Sequence, residues 1–352
     1  MFYSNLIFIL ILTTYFYIQT RFLINIFEKK YISILSDYDF KKPQSFHNKS
    51  IVRLGGTLIY SSLILVTLYL YTFQNILFIE YISFCTLFFF LGLSDDMKTN
   101  ISPKLRLLLM SSFLIFLVIF NEFYLTKSGL EFLNNLLDID IFALCFTCLC
   151  FLFIINGSNL IDGFNGLLGI HSFIILVILC IINFLSNNIE LAYFLFYSSV
   201  VILFFLKFNF PKAKVFLGDS GSYLVGALIA ISTVKTSILN PSITPFFFTI
   251  LLFYLFFEVF FSFFRKIFVA KQSPLLPDNK HLHMLFYKFL LKKKINKENS
   301  NYKVSIYFNA IYLIFITPGI IFMHEGLFCR YYFFLLPIVY LLFYKTLYKR
   351  VE

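Results

Sequence analysis

Charge is what this sequence has least of. Lys, Arg, Asp and Glu make up 13% of its 352 residues, against about 25% in an ordinary soluble domain, which excludes a soluble globular fold. Low hydrophobicity is missing too: 60% of the chain is hydrophobic, which excludes disorder. Cysteine is sparse, with Cys85, Cys145, Cys148, Cys150, Cys180 and Cys329 all in or at the edge of apolar stretches. That excludes a disulfide-rich scaffold and reads as six small buried hydrophobes. Cys145 and Cys148 form a C-x-x-C, but no second pair or neighbouring His completes a metal or redox motif. The first apolar run, from Asn5 to Ile24, has no basic segment before it and no small-residue cleavage site after it. It reads as a retained span rather than a removed signal peptide. Tryptophan is absent, so Tyr clusters at the ends of the runs serve as interfacial anchors. No internal repeat of the kind found in inverted-repeat transporters is visible.

What remains is apolar length. Hydrophobic runs interrupted by polar clusters predict eleven spans, at 4–24, 54–72, 76–94, 105–121, 139–156, 166–185, 191–207, 220–238, 244–264, 304–323 and 327–345. The chain is therefore expected to be an all-α integral membrane protein of about eleven transmembrane helices, a single polytopic domain over 1–352. Cations test the count. Of the 29 Lys and Arg, 26 fall in the loops on one side and in the C-terminal tail, leaving only Lys127, Lys235 and Arg330 on the other. The basic side is cytoplasmic by the positive-inside rule, with the N-terminus periplasmic and the C-terminus cytoplasmic. The net charge of +11 is absorbed by this bias and does not call for a nucleic-acid partner. The cytoplasmic loops 25–53, 95–106, 157–165, 207–219 and 265–303 are expected to form the functional face.

Four polar clusters on that side need a reason, since carboxylates at membrane depth are costly. Asp95 and Asp96 close a span and repel each other unless a cation or a shared proton relieves them, pointing to Mg²⁺ or general-base work; the alternative is an ordinary charged helix end. Asn156 to Gly166 carries three Asn, one Asp and three Gly between two spans, more polar side chains than a plain turn requires. Gly218-Asp219-Ser220-Gly221-Ser222 opens a helix whose N-terminus would favour phosphate. Its likeness to a serine-protease Gly-Asp-Ser-Gly is a decoy, because these spans cannot build that fold. Mg²⁺ prefers oxygen ligands completed by water and substrate phosphate, so Asp219 and the carbonyl of Asn159 are candidate ligands. His281 and His283, taken as loop residues, could together reach one diphosphate or lipid headgroup; a solvated basic loop is the alternative. The loop carrying His47, Lys49, Arg53, Gly55 and Gly56 is either an anion-binding entry or positive-inside decoration.

Taken in order, these segments resemble the polyprenyl-phosphate N-acetylhexosamine-1-phosphate transferases, the bacterial glycosyltransferase family 4 type that includes undecaprenyl-phosphate GlcNAc-1-phosphate transferases. The resemblance runs from Asp39 to His283. It comprises Pro43-x-x-x-His47 with Arg53-x-Gly55-Gly56, then Gly92-x-x-Asp95-Asp96, Asn156-x-x-Asn159-x-x-Asp162-Gly163-x-Asn165-Gly166-Leu167, Gly218-Asp219-Ser220-Gly221-Ser222, and His281-x-His283. It implies transfer of a sugar-1-phosphate from a UDP-N-acetylhexosamine to undecaprenyl phosphate with release of UMP, initiating a cell-envelope glycan such as O-antigen or teichoic acid. By position it implies Asp219 and Asn159 as ligands of Mg²⁺, with Mn²⁺ as a substitute, and Asp95 orienting or deprotonating the lipid phosphate with support from Asp96. It puts Asp162 and Asn165 at the nucleotide, Phe216 stacked on uracil, and Lys49, Arg53, His281 and His283 on phosphates or sugar. Met284 stands where many members have a further His, and Asn165 where many have Asp. The triple-His motif of the phospho-N-acetylmuramoyl-pentapeptide branch is absent, yet that branch stays open as an alternative. So do a non-enzymatic transporter of anionic lipids, a prenyl transferase lacking its second aspartate-rich cluster, and homodimerisation.

Overall fold

The computed structural model describes residues 2–30, 51–99, 101–274, 276 and 278–352. Lys49, together with Pro43 and His47, lies outside the described residues. Helices α1 (Phe2–Lys30), α2 (Gly55–Gln74), α3 (Ile79–Asp96), α4 (Pro103–Asn121), the short α5 (Glu131–Leu137), α6 (Asp140–Ile161), α7 (Leu167–Leu185), α8 (Ile189–Asn209) and α9 (Gly218–Leu239) follow in order. Then come α10 (Pro245–Leu251), α11 (Phe253–Phe264), a π-helical turn at Arg265–Val269, and α12 (Leu282–Lys292), α13 (Lys297–Ile321) and α14 (Gly326–Val351). Every predicted run is helical, but among the described residues nine helices are long and apolar enough to cross a membrane, ten if the bent pair α10–α11 is one span, against the eleven expected.

The predicted run at 76–94 is α3, which is not among these nine or ten and carries its charges at its ends. Glu80 opens it and Asp95-Asp96 close it, with no charge between them. Its first-turn Glu80 pairs with Lys235 near the end of α9, and Lys235 also sits 4.5 Å from the Phe78 ring centroid. Arg330, a second cation of the sparse side, donates to the Gly129 carbonyl. Two of the three cations on that side are thus engaged locally.

The run predicted at 244–264 is not one straight helix. It bends by 73° between α10 and α11. A break in a span leaves a carbonyl without its helical partner, which must be supplied from elsewhere. Here Tyr312 of α13 donates its hydroxyl to the Leu251 carbonyl at 2.8 Å.

Helix α9 is the hub, packed against α2, α3, α6 and α7. Its sequence, GDSGSYLVGALIAISTV, is rich in small residues, which let backbones approach where lipid supplies no hydrophobic drive for association. Two glycines in the neighbours complete this fit. A Cβ at Gly92 of α3 would collide with the Asp219 backbone, and one at Gly56 of α2 with Ser220 and Gly221. Just before α2, strand β1 (Val52–Arg53) pairs in parallel with β2 (Val215–Phe216), placing Arg53 opposite Phe216. The Gly56 amide extends that pairing to the Leu217 carbonyl at 2.9 Å. The end of α3, the end of α6 and the starts of α2 and α9 therefore meet at one end of the bundle.

Candidate active site

Polar residues at helix ends build this junction. The segment expected as a loop from 157 is helical as far as Ile161, so Asn159 lies on the last turn of α6. Its side-chain nitrogen donates to Asp219 Oδ1 at 2.7 Å and to Ser222 Oγ at 2.9 Å. It is thus the amide nitrogen, not the carbonyl, that faces Asp219. Asp219 sits in the first turn of α9, and its charge acts on Asp95, Asp96 and Asp162 alike.

Asp96 corrects one expectation. The N-terminus of α9 is not free for a phosphate, because the Asp96 carboxylate already occupies it. Asp219 N donates to Asp96 Oδ1 at 2.9 Å, and Ser220 donates to Oδ2 through its amide at 2.9 Å and its hydroxyl at 2.6 Å. Asp96 is 2% exposed, and Arg53 Nη1 lies 3.6 Å from Oδ1. A buried anion at a helix N-terminus satisfies amides that would otherwise lack partners. Asp96 therefore tethers α3 to α9 and holds Asp219 in place.

Asp95, next in line, is paired instead with Arg106 of α4 at 3.0 Å. Arg106 was not singled out in the sequence, although its place one turn into the next helix after an aspartate pair is the available signal. Asp162 lies just past α6, partly buried. Burial, reinforced by the Asp219 charge and only partly offset by Arg53, pushes its carboxyl up to about 8. Four carboxylates against two guanidinium groups leave negative charge in excess, and Asp162 responds by keeping its proton.

This donor set suits a hard divalent cation, which takes oxygen ligands and commonly leaves places for water and phosphate. No group of three or more His, Cys, Asp or Glu among the described residues encloses an ion by itself. A bound cation would thus depend on water and substrate oxygens for the rest of its shell.

Three expected substrate residues are placed elsewhere. Asn165 is buried: its side chain donates to the Pro211 carbonyl at 2.9 Å, its amide to Asn301 Oδ1 at 2.9 Å, and its carbonyl accepts from Ser305 at 2.6 Å. It ties the turn between α6 and α7 to α13. His281 and His283 are interior groups, 2% and 0% exposed, rather than loop side chains. His281 is the N-cap of α12 in an extended conformation, which lets residues two apart lie side by side, their rings parallel at 5.6 Å. His281 Nδ1 meets Glu258 Oε1 at 3.0 Å and His283 Nδ1 meets the Tyr254 hydroxyl at 3.0 Å. Burial drives the His283 imidazole down to about 3, so it is neutral. Burial alone would raise Asp278 beside them, but His281, the Lys280 amide and Arg265 hold its carboxyl below the ordinary range. Glu258 was missed in the sequence, yet a lone glutamate in a Phe-rich apolar run is the kind of residue that membrane burial makes conspicuous.

Comparison with known proteins picks out the part of the chain that forms the junction. The glycosyl transferase family 4 profile matches residues 78–237. The likeness to glycosyl transferase family 4 is thus carried by residues 78–237. The matched stretch includes Asp95, Asp96, Asn159, Asp162, Asn165, Phe216 and Asp219, while Arg53, Glu258 and both histidines lie outside it. The chain is 33% identical over 195 residues to an undecaprenyl-phosphate α-N-acetylglucosaminyl 1-phosphate transferase of Thermotoga maritima, covering 55% of each chain. It is 29% identical over 203 residues to a phospho-N-acetylmuramoyl-pentapeptide-transferase of Campylobacter jejuni, covering 50% of this chain and 58% of that one. A phospho-N-acetylmuramoyl-pentapeptide-transferase of a Thermoanaerobacter species is 28% identical over 212 residues, 58% of this chain and 66% of that one. The aligned stretch thus spans between about half and two thirds of these relatives.

Proposed function

We propose that this protein transfers an N-acetylhexosamine-1-phosphate, GlcNAc-1-phosphate or a close relative, from a UDP-sugar to undecaprenyl phosphate and releases UMP. The observation that carries the reading is the excess of carboxylate at one end of the bundle, with Asp219 presented on a helix start that Asp96 locks in place. A lipid phosphate oxygen attacks the β-phosphorus of the nucleotide sugar. The bond from that phosphorus to the bridging oxygen breaks, and the oxygen leaves with UMP. Little covalent chemistry falls to the protein in such a displacement; positioning and charge neutralisation dominate.

Asp219, with Asn159 after a turn of its amide, would hold Mg²⁺, and Mn²⁺ would serve as its substitute. The ion's part is to neutralise the diphosphate and the departing UMP. Arg53, beside Phe216 on the β1–β2 pair, faces the nucleotide phosphates, with Phe216 available to stack on the base. Asp95, restrained by Arg106, orients the lipid phosphate. Asp162 lies at the nucleotide. Asn165 keeps the 162–167 turn in shape. The reaction face is cytoplasmic, on the side that carries 26 of the 29 cations.

The test is UMP release by the purified protein in detergent with undecaprenyl phosphate, Mg²⁺ and a panel of UDP-N-acetylhexosamines, with and without EDTA. Release that needs both lipid and metal supports the reading and names the donor. Because relatives of the muramoyl-pentapeptide type match comparably, UDP-N-acetylmuramoyl-pentapeptide belongs in the panel. Turnover with that donor alone would move the protein to the peptidoglycan branch. No release from any donor in folded protein would favour lipid transport without chemistry.

A further inference from the structure

One face of α11 holds the segment leading into α12 by three polar contacts in antiparallel order. Tyr254, Glu258 and Arg265 succeed one another along the helix and its π-helical end. They meet His283, His281 and Asp278 in turn, at 3.0, 3.0 and 2.7 Å. Glu258 is the centre of this ladder. It is 1% exposed; its Oε1 also accepts from the Leu282 amide at 3.3 Å, and its Oε2 accepts from the Tyr340 hydroxyl of α14 at 2.6 Å. One carboxylate thus joins α11, the start of α12 and α14. Removing such a charge leaves its buried donors without a partner, which costs far more than a surface contact does.

The contacts continue to the carboxylate junction. The His281 ring stacks on His283, and the His283 ring meets Phe164 edge-on at 5.8 Å. Phe164 stands two residues beyond Asp162. Every other residue in this run of contacts lies outside residues 78–237, so it is a route from the C-terminal third into that segment separate from the bonds of Asn301 and Ser305 to Asn165.

We propose that Glu258 is a positioning residue for the transferase site: acting through His281 and His283, it sets the Phe164 turn and with it Asp162. The kinetic half of this rests on the transferase reading, and the structural half does not.

The experiment uses the full chain in detergent, comparing wild type with Glu258→Gln and Tyr340→Phe. Hydrogen exchange is followed on peptides covering 162–167 and 216–222, and UMP release is measured with donor and undecaprenyl phosphate varied separately. In Glu258→Gln, exchange over 162–167 should rise by about tenfold while 216–222 stays as in wild type. The donor KM should rise by at least about fivefold with the lipid KM unchanged. Tyr340→Phe removes one donor yet keeps the carboxylate; it should move both readouts the same way by less, and it carries the test should Glu258→Gln fail to fold. Unchanged exchange at 162–167 in folded protein overturns the proposal, as does an equal rise in both peptides or an unaltered donor KM. A wild type that releases no UMP from any donor would overturn the transferase reading and the kinetic half together. That failure is told apart because the exchange difference persists without turnover.

Discussion

Two ionisable clusters, linked through the turn that carries Asp162 and Phe164, solve opposite problems in this protein. Around Asp219, four carboxylates face two arginines. Around Glu258, each carboxylate oxygen has a donor, and Asp278 is matched by Arg265 and His281. The first cluster is short of positive charge and partly open, as the proposed binding of a cation and phosphates requires. The second is closed and balanced, the condition of a joint. A charge that will meet a ligand must be left uncompensated by the fold, whereas a charge that holds helices together must be compensated within it.

The largest effect should come from breaking the open cluster. Asp219→Ala should lower UMP release by more than about 100-fold and weaken its Mg²⁺ dependence, while the thermal unfolding midpoint in detergent stays close to wild type. Retained turnover would remove Asp219 from the metal assignment. Asp96→Ala sharpens the contrast, since this carboxylate belongs to the site in space but to the joint in kind. It strips the buried N-terminus of α9 of its anion and should cost about 3 kcal/mol of stability along with activity, measured by unfolding and turnover on the same preparation. An Asp96 variant as stable as wild type would mean that the α3–α9 tether is not what fixes Asp219.

Smaller effects follow from protonation. Asp162 keeps its proton up to about pH 8, and a cation placed beside it favours the ionised form. Mg²⁺ and donor binding at pH 7 should therefore release a proton, and apparent Mg²⁺ affinity should climb as pH rises toward 8. Calorimetry in two buffers of different ionisation enthalpy reads the release, which Asp162→Asn should abolish. His283, in the closed cluster, behaves in the other direction. Its folded value of about 3 lies below the roughly 6.5 of an exposed histidine, so the unfolded chain takes up a proton that the folded one refuses. The stability tied to neutral His283 is full above about pH 6.5 and is lost as pH falls toward 3. Unfolding midpoints at pH 7.5 and 5.0 should separate more in wild type than in His283→Gln. Equal separations would show that His283 is not the group responsible.

Much of the fold was legible because spans are written in local composition. Twenty apolar residues in a row cross a membrane whatever lies beside them, and every predicted run became a helix. The bend at Leu252 was not legible, because it depends on Tyr312 arriving from α13 to take the freed Leu251 carbonyl. The site was legible as residue types in order: Asp95, Asp96, Asn159, Asp162 and Asp219 all come to one junction. Their division of labour was not. Asp95 and Asp96 are neighbours in the chain, yet a helix turns adjacent residues about 100° apart; one meets Arg106 and the other the start of α9. His281 and His283 carried the chemistry of an anion-binding loop in the sequence. Whether a histidine faces solvent or a glutamate 23 residues away is decided by how α11 and α12 pack.

By itself, then, the sequence determined the membrane class, where the helical runs lie, the uneven spread of cations and the residue types in the polar loops, since hydropathy and charge act within a few residues of themselves. Only the tertiary structure decided which carboxylate is a tether, which is paired with an arginine of the next helix and which lone glutamate joins three helices. Pairing and burial are properties of elements that meet across separations from 23 residues, Glu258 to His281, to 123, Asp96 to Asp219.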